Sequence, residues 1–64
     1  MLTWKALGEL PPRQRAALVL TYQEGLSGAE TVQIMGVTPK ALERLLARGR
    51  ALLRKRLAGL MQTE

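Results

Sequence analysis

The 64-residue chain is long enough for one small domain, and it carries a formal net charge of +5. It contains neither cysteine nor histidine, so disulfides, the usual zinc-ligand sets and catalysis by either residue type are excluded, and we expect no enzyme activity, metal or cofactor. No apolar run reaches the ~18 residues of a membrane span, and no signal-peptide pattern is present, so we expect a cytoplasmic protein without a membrane partner.

The excess positive charge lies in one segment. Up to Thr38 cations and carboxylates balance, whereas from Pro39 onward seven cations face two carboxylates. Such a segment is typical of an element that binds a polyanion, although a solvated helix face at a chain terminus is an equally good explanation of charge alone. The seven cations are Lys40, Arg44, Arg48, Arg50, Arg54, Lys55 and Arg56.

Two helices are predicted in the first part of the chain. A short helix over Leu2–Glu9 ends before Pro11-Pro12, because proline lacks an amide donor and disfavours a helical residue before it. Pro12 begins a helix that runs to about Glu24 and stops at Gly25, which takes the left-handed conformation without steric cost. Its dense apolar residues predict the buried centre of a small bundle. We expect the core to include Trp4, Leu7, Leu18 and Tyr22.

Residues 27–50 predict a helix-turn-helix. Ser27 and Glu30 form a capping-box pattern, so a third helix starts at Ser27 and ends at Gly36, the glycine of the turn. Apolar residues before and after the turn are expected to hold the two helices at a steep angle. Two positions depart from the motif, because Val32 is larger than the alanine usually found there and Thr31 is polar where the side chain is normally apolar.

A fourth, long helix is predicted from Pro39 to about Leu60, with Thr38 as its cap. Its apolar residues lie within roughly ±80° of Leu42 on a helical projection and form one inward face. On the opposite face cations alternate with alanines, which lets the backbone approach a DNA groove; the helix propensity of alanine is the alternative explanation. The inward residues are Leu42, Leu45, Leu46, Gly49, Leu52, Leu53, Leu57 and Leu60. The outward residues are Lys40, Arg44, Ala47, Arg48, Ala51, Arg54 and Lys55.

These elements predict an all-α fold, a compact four-helix domain with a helix-turn-helix, a short N-terminal helix and a long C-terminal recognition helix. Four segments, Leu10–Arg15, Tyr22–Ser27, Met35–Thr38 and Leu46–Arg54, occur in an order and at spacings that carry a family resemblance. The ordered set resembles region 4 of bacterial RNA polymerase sigma factors, specifically the extracytoplasmic-function group of the sigma-70 superfamily. The resemblance extends from about Trp4 to Leu57.

This resemblance implies a promoter-recognition domain in transcription initiation. The domain would read the −35 element of double-stranded promoter DNA in the major groove and bind the β flap of the RNA polymerase core. It further implies an anti-sigma factor as a partner, and a larger parent factor of which residues 1–64 are a fragment. Part of the apolar surface of Trp4, Leu7, Leu18 and Tyr22 is an alternative contact surface for the flap or the anti-sigma factor.

The resemblance also implies roles for individual residues. Carried over to this sequence, the base-reading positions are Glu43, Arg44 and Ala47. The expected phosphate contacts are Thr38, Lys40, Arg48 and Arg50. Arg44 is the better candidate for direct readout, through a bidentate contact to guanine. Glu43 could accept a hydrogen bond from cytosine, whereas its alternative role is an ion pair within the helix or charge complementarity at the helix N-terminus.

Three positions depart from the family pattern. Glu43 stands where a cation is common, Leu45 where an arginine often faces phosphate, and Gly28 where an aromatic or polar residue is frequent. These departures fit a sigma-like protein-interaction module that binds an anti-sigma factor without reading DNA, whereas the retained arginines favour DNA binding. Response-regulator activators share the glycine turn, but the segments on either side of it resemble sigma region 4 more closely.

Overall fold

The computed structural model describes the backbone of residues 7–62 and the side chains of residues 7–58. This part of the chain is all-α, without strands, and its three α-helices are α1 (Pro12–Leu18), α2 (Gly28–Met35) and α3 (Pro39–Gln62). A π-helical segment, Val19–Gln23, continues α1. Leu7 and Gly8 are helical too and Glu9 is in a turn, whereas residues 2–6 of the predicted N-terminal helix, with Trp4, lie outside the described residues. The count of four helices therefore stays a prediction.

The start of α1 follows from its two prolines. Pro11 has an extended ψ of 145°, and Pro12 occupies the first helical position, where a missing amide donor leaves no hydrogen bond unmade. The backbone amide of Arg15 then donates to the Pro11 carbonyl at 2.9 Å. Gly25, at the far end of the helical stretch, has a positive φ of 70°, as its predicted role as a stop requires.

The end of this stretch differs from the expected regular helix. The Thr21 hydroxyl donates to the Ala17 carbonyl at 2.8 Å, and such a local bond competes with the backbone ladder. The amide of Glu24 reaches back five residues to the Val19 carbonyl, the spacing of a π-helix. Tyr22 lies within this π-helical segment. Tyr22 is 55% exposed, so its predicted core position is wrong.

The capping box predicted for α2 is confirmed. The Ser27 hydroxyl accepts from the Glu30 amide at 3.1 Å, and the Glu30 carboxylate accepts from the Ser27 amide at 2.9 Å. The amide of Ser27, followed by its hydroxyl, lowers the pKa of Glu30 below its ordinary value of 4.5, because both stabilise the charged carboxylate. Gly36 ends α2 in the left-handed conformation, with φ 67°, which confirms the turn glycine.

The polar residue within the helix-turn-helix is accommodated by a local hydrogen bond. Thr31 is fully buried, and its hydroxyl donates to the Ser27 carbonyl one helical turn earlier, at 2.9 Å. A buried hydroxyl with a partner avoids the penalty of an unmade hydrogen bond. Thr31 can therefore occupy a position that the motif normally gives to an apolar side chain.

The core lies where α1 and the segment before it pack on the inward face of α3. Leu7, Leu10, Leu18 and Leu53 form its buried cluster. Every predicted inward residue of α3 up to Leu57 is buried or half-buried, while the side chain of Leu60 lies outside the described ones. The predicted burial of Leu7 and Leu18 is confirmed. The longest dimension of the protein is 41 Å, because α3 has 24 residues and rises about 1.5 Å with each of them.

A glycine permits the close approach of α1 to α3. A Cβ atom on Gly49 would lie 2.8 Å from Leu18 Cδ1 and 3.3 Å from Leu18 Cγ, and Leu18 is fully buried. Such distances are shorter than normal carbon–carbon contacts, so any side chain at this position would push the helices apart. Gly49 thus belongs to the packed face of α3, as its place in the leucine stripe predicts.

Two further observations complete the fold. The Arg56 guanidinium forms an ion pair with the Glu9 carboxylate at 2.9 Å, between two exposed side chains, so it contributes little to stability. This pair joins the segment before α1 to the C-terminal part of α3.

Across residues 7–62, no helix combines the length and the apolar character needed to cross a membrane.

Candidate nucleic-acid interface

The first turn of α3 is fixed by the residue that precedes it. The Thr38 hydroxyl accepts a hydrogen bond from the Ala41 amide at 3.1 Å, and the Thr38 carbonyl accepts from Leu42 at 2.9 Å. These bonds confirm Thr38 as the cap. The hydroxyl keeps its own hydrogen, so it can still donate to an external oxygen such as that of a phosphate.

The outward face of α3 is exposed along its length. Lys40, Arg44, Ala47 and Arg48 are all solvent-exposed, whereas Leu42 on the opposite side is buried. Among residues 7–58, no ion pair or side-chain hydrogen bond engages Arg44 or Arg48. Their charges are uncompensated by direct partners in this region, and the intervening alanine leaves space for a close approach of the helix.

One flank of this face is a shallow, open depression with a volume of about 560 Å³. It is lined by two apolar residues, Leu46 and Ala47, and by three charged ones, Glu43, Arg44 and Arg50. The ion pair considered for Glu43 is not formed within the described residues, although Lys40 lies one turn earlier on the same helix. The carboxylate of Glu43 therefore faces solvent on the same flank as the guanidinium of Arg44.

One lining residue of the depression, Arg50, forms a hydrogen bond with the π-helical segment. The Arg50 guanidinium (Nη1) donates a hydrogen bond to the hydroxyl oxygen of Tyr22 at 2.8 Å, across 28 positions of sequence. Sequence reasoning missed Tyr22 as a residue of this surface. A signal was present in the polar run that follows it, Gln23-Glu24-Gly25, which marks a helix end reaching solvent.

All seven residues expected at the DNA surface lie on α3 or at its cap and are exposed. Glu43, Arg44 and Ala47 are brought together in the depression, with Arg50 at its edge, whereas Thr38 and Lys40 lie at the N-terminal end of α3. Of the three positions that depart from the expected pattern, Gly28 and Glu43 are exposed and Leu45 is half-buried, in line with its place in the inward stripe.

Residues 1–53 match the family model described as "Sigma-70, region 4". The chain belongs to this family. Sigma-70 region 4 is a DNA-binding domain without enzymatic activity, and its helix-turn-helix serves promoter −35 recognition in transcription initiation, together with RNA polymerase. The resemblance derived from the sequence is thereby confirmed at the level of sigma region 4. The search of curated proteins and the search of solved structures found no match.

Membership of sigma-70 region 4 indicates which helices form the DNA-binding motif. The helix-turn-helix corresponds to α2, the left-handed Gly36 and α3, and its second helix is the one that carries the basic outward face. In helix-turn-helix proteins the second helix enters the major groove with its N-terminal residues near base edges. The exposed residues in the first turns of this region 4 domain's α3 are therefore the candidates for DNA contact.

Proposed function

We propose that this region 4 domain reads the −35 promoter element as part of an extracytoplasmic-function sigma factor. The observation that carries the proposal is the exposed basic face of α3, on which Arg44 and Arg48 have no direct partner among residues 7–58, set on a buried leucine stripe and a glycine turn. In our proposal the base-reading residues are Glu43, Arg44 and Ala47. The phosphate-contacting residues are Thr38, Lys40, Arg48 and Arg50.

Arg44 and Ala47 have complementary roles in the proposed readout. The Arg44 guanidinium can make two parallel hydrogen bonds to the O6 and N7 atoms of guanine, a contact worth about 1–3 kcal/mol of discrimination. Ala47 is small enough to let the helix backbone approach the groove floor, and its methyl group suits the C5-methyl of thymine. Both residues line the same depression, so they would contact neighbouring base pairs.

Glu43 is proposed to accept a hydrogen bond from the amino group of a cytosine. A carboxylate close to DNA is repelled by the phosphates unless a cation lies nearby. Arg44 and Arg50 line the same depression as Glu43 and supply that compensation. The substitution Glu43→Gln is therefore expected to change the base preference at one position, while a gain in affinity for every sequence would indicate repulsion alone.

We extend the proposal to the partners that a sigma region 4 domain meets, namely the β flap of the RNA polymerase core and an anti-sigma factor. Family membership supports an interaction with the polymerase. A pull-down of the core enzyme with the chain, with and without an excess of the isolated flap, measures this contact. Unchanged capture in the presence of the excess flap would place the contact elsewhere on the polymerase.

The DNA-reading proposal is tested by comparing Arg44→Ala with Arg48→Ala on a library of duplexes at two salt concentrations. Arg44→Ala should weaken binding selectively at one or two base pairs, because it removes a base contact. Arg48→Ala should weaken all sequences alike and reduce the slope of log affinity against log salt by about one, because it removes a phosphate contact. Arg13→Ala, at an exposed arginine of α1, controls for the loss of one charge.

The alternative function is a sigma-like protein-interaction module that binds an anti-sigma factor without reading DNA. The exposed carboxylate of Glu43 on the outward helix favours it, since an acid in this place opposes DNA binding. Undetectable or salt-insensitive binding of the unmodified chain to every duplex would support the module and contradict promoter reading. Equal losses on all sequences for both arginine variants would contradict the assigned roles.

A further inference from the structure

The side chain of Tyr22 lies in an unusual position for a large apolar residue of a small domain. It is 55% exposed, although burial of an aromatic ring is a major source of stability in a core of this size. It lies in the π-helical segment Val19–Gln23, and π-type turns are frequent at functional sites. From this segment its hydroxyl reaches α3.

The contact made by Tyr22 on α3 is with a cation of the DNA-facing surface. Its hydroxyl oxygen accepts from Nη1 of Arg50 at 2.8 Å. A guanidinium has five N–H donors in a rigid fork, so this bond leaves the others available to an external acceptor. Arg50 also lines the depression that contains Glu43, Arg44 and Ala47.

The hydrogen bond between Arg50 and Tyr22 differs from the ion pair of Arg56. Arg56 is paired with the carboxylate of Glu9, which compensates its charge. The phenol of Tyr22 is neutral, so its hydrogen bond fixes the Arg50 side chain and leaves the positive charge of the guanidinium intact. A long side chain held in one rotamer loses less entropy when it binds, which is the advantage of a pre-organised contact.

We propose that Tyr22 is a positioning residue that holds the Arg50 guanidinium at the edge of the depression, ready to contact a DNA phosphate. The inference rests on the proposed DNA-reading function and adds to it a residue outside the helix-turn-helix. It also gives the π-helical segment a role, because that segment carries Tyr22.

A double-mutant cycle on DNA affinity tests the positioning role. The unmodified chain, Tyr22→Phe, Arg50→Ala and the double variant are titrated against random-sequence duplex DNA, and their unfolding is measured in urea. Tyr22→Phe keeps the ring and removes only the hydroxyl. We expect it to weaken binding by about three- to tenfold in the presence of Arg50, in keeping with the loss of one hydrogen bond, and to leave the urea midpoint unchanged. In the Arg50→Ala background it should have no further effect.

A second cycle pairs Tyr22→Phe with Arg13→Ala, and there the two losses should add, because Arg13 makes no hydrogen bond with Tyr22. An undiminished effect of Tyr22→Phe in the Arg50→Ala background would overturn the proposal and point to direct contact of the hydroxyl with DNA. Equal affinity of Tyr22→Phe and the unmodified chain would overturn it as well, while leaving promoter reading intact. Failure of the unmodified chain to bind duplex DNA would instead contradict the proposed function.

Discussion

The two faces of α3 have opposite constraints although they belong to one helix. On the inward face Leu42 and Leu53 are buried, and Gly49 has no room for a side chain beside Leu18. On the outward face Arg44 and its neighbours are exposed, with no direct partner among the described residues. Stability and the proposed DNA recognition thus depend on different residues of the same helix. Substitutions on one face should therefore change unfolding, and those on the other should change binding.

The largest effect is expected from the inward side, with Leu18→Ala. Leu18 is fully buried, and truncation of a buried leucine costs about 2–5 kcal/mol. A hydrophobic core of this size rarely supplies more than about 3–5 kcal/mol, so the variant should be largely unfolded. Urea unfolding followed by circular dichroism measures the change, and a loss below about 1 kcal/mol would contradict the central role of this side chain.

The contact between Leu18 and Gly49 predicts coupling between their substitutions. Gly49→Ala alone should be less stable than its gain in helix propensity predicts, because the new methyl meets Leu18 Cδ1 at 2.8 Å. With Leu18→Ala present, the same methyl should partly fill the cavity and stabilise the protein. The sign of this coupling in urea unfolding is the measurement, and strict additivity would mean that the two residues do not exclude each other.

The next effect concerns the outward side, with Ala47→Glu. The larger acidic side chain should block the approach of the helix to DNA and repel phosphates, which lowers affinity by roughly 1–3 kcal/mol. Because Ala47 is exposed, the urea midpoint should stay close to that of the unmodified chain. Ala47→Gln has the same size without the charge and should lose less affinity. Unfolding of the Ala47→Glu variant would break the separation of the two faces.

A smaller effect is expected at the start of α2, outside α3. Ser27→Ala removes the hydroxyl that accepts from the Glu30 amide, and loss of such a cap costs about 1 kcal/mol. Ser27→Asp provides another acceptor at the same position and should remain close to the unmodified chain. Urea unfolding compares the three proteins, and equal destabilisation by both variants would show that the capping bond is not the source of the effect.

The smallest effect is the pH dependence that arises from Glu30. Its pKa is lowered in the folded state by the Ser27 amide and then by the Ser27 hydroxyl, so the unfolded chain binds a proton first as pH falls. The associated stability is present above the unfolded pKa and is lost as pH decreases through the folded pKa. Urea unfolding from about pH 6 to about pH 3 should show a smaller acid loss for Glu30→Gln than for the unmodified chain. Glu24→Gln, at an exposed carboxylate outside the capping box, serves as the control, and an equal reduction by both would contradict this origin.

Much of the helix-turn-helix was predictable because its signals act over a few residues. Ser27 and Glu30 satisfy each other's amides three positions apart, and Gly36 is the residue that adopts a positive φ most readily. Thr38 and Pro39 likewise determine where α3 starts. The outward positions of Lys40, Arg44, Ala47 and Arg48 followed from helical periodicity alone. Their roles toward bases and phosphates remain proposals.

The side-chain positions that could not be predicted depend on tertiary contacts, above all in the helical stretch before α2. The core position predicted for Tyr22 is wrong, because its side chain lies exposed on the π-helical segment. The Thr21 hydroxyl donates to the Ala17 carbonyl beside the π-type turn. This bond competes with the backbone hydrogen bonds of the helix, and no clear periodicity in the sequence indicates it. Glu43 shows the same limit, since its lack of an ion pair depends on which side chains surround it rather than on its own position.

The sequence by itself determined the starts of the three α-helices, the glycine turn, the inward and outward faces of α3 and the resemblance to sigma region 4. These features follow from hydrogen bonds and periodicities within single helices or across one turn. Only the tertiary structure decided that Gly49 lies against Leu18 and that the hydroxyl of Tyr22 meets Arg50. Both contacts join α3 to the helical stretch before α2, and their geometry depends on how closely the helices pack and how the π turn rotates the chain. Neither quantity is encoded in a local pattern of residues.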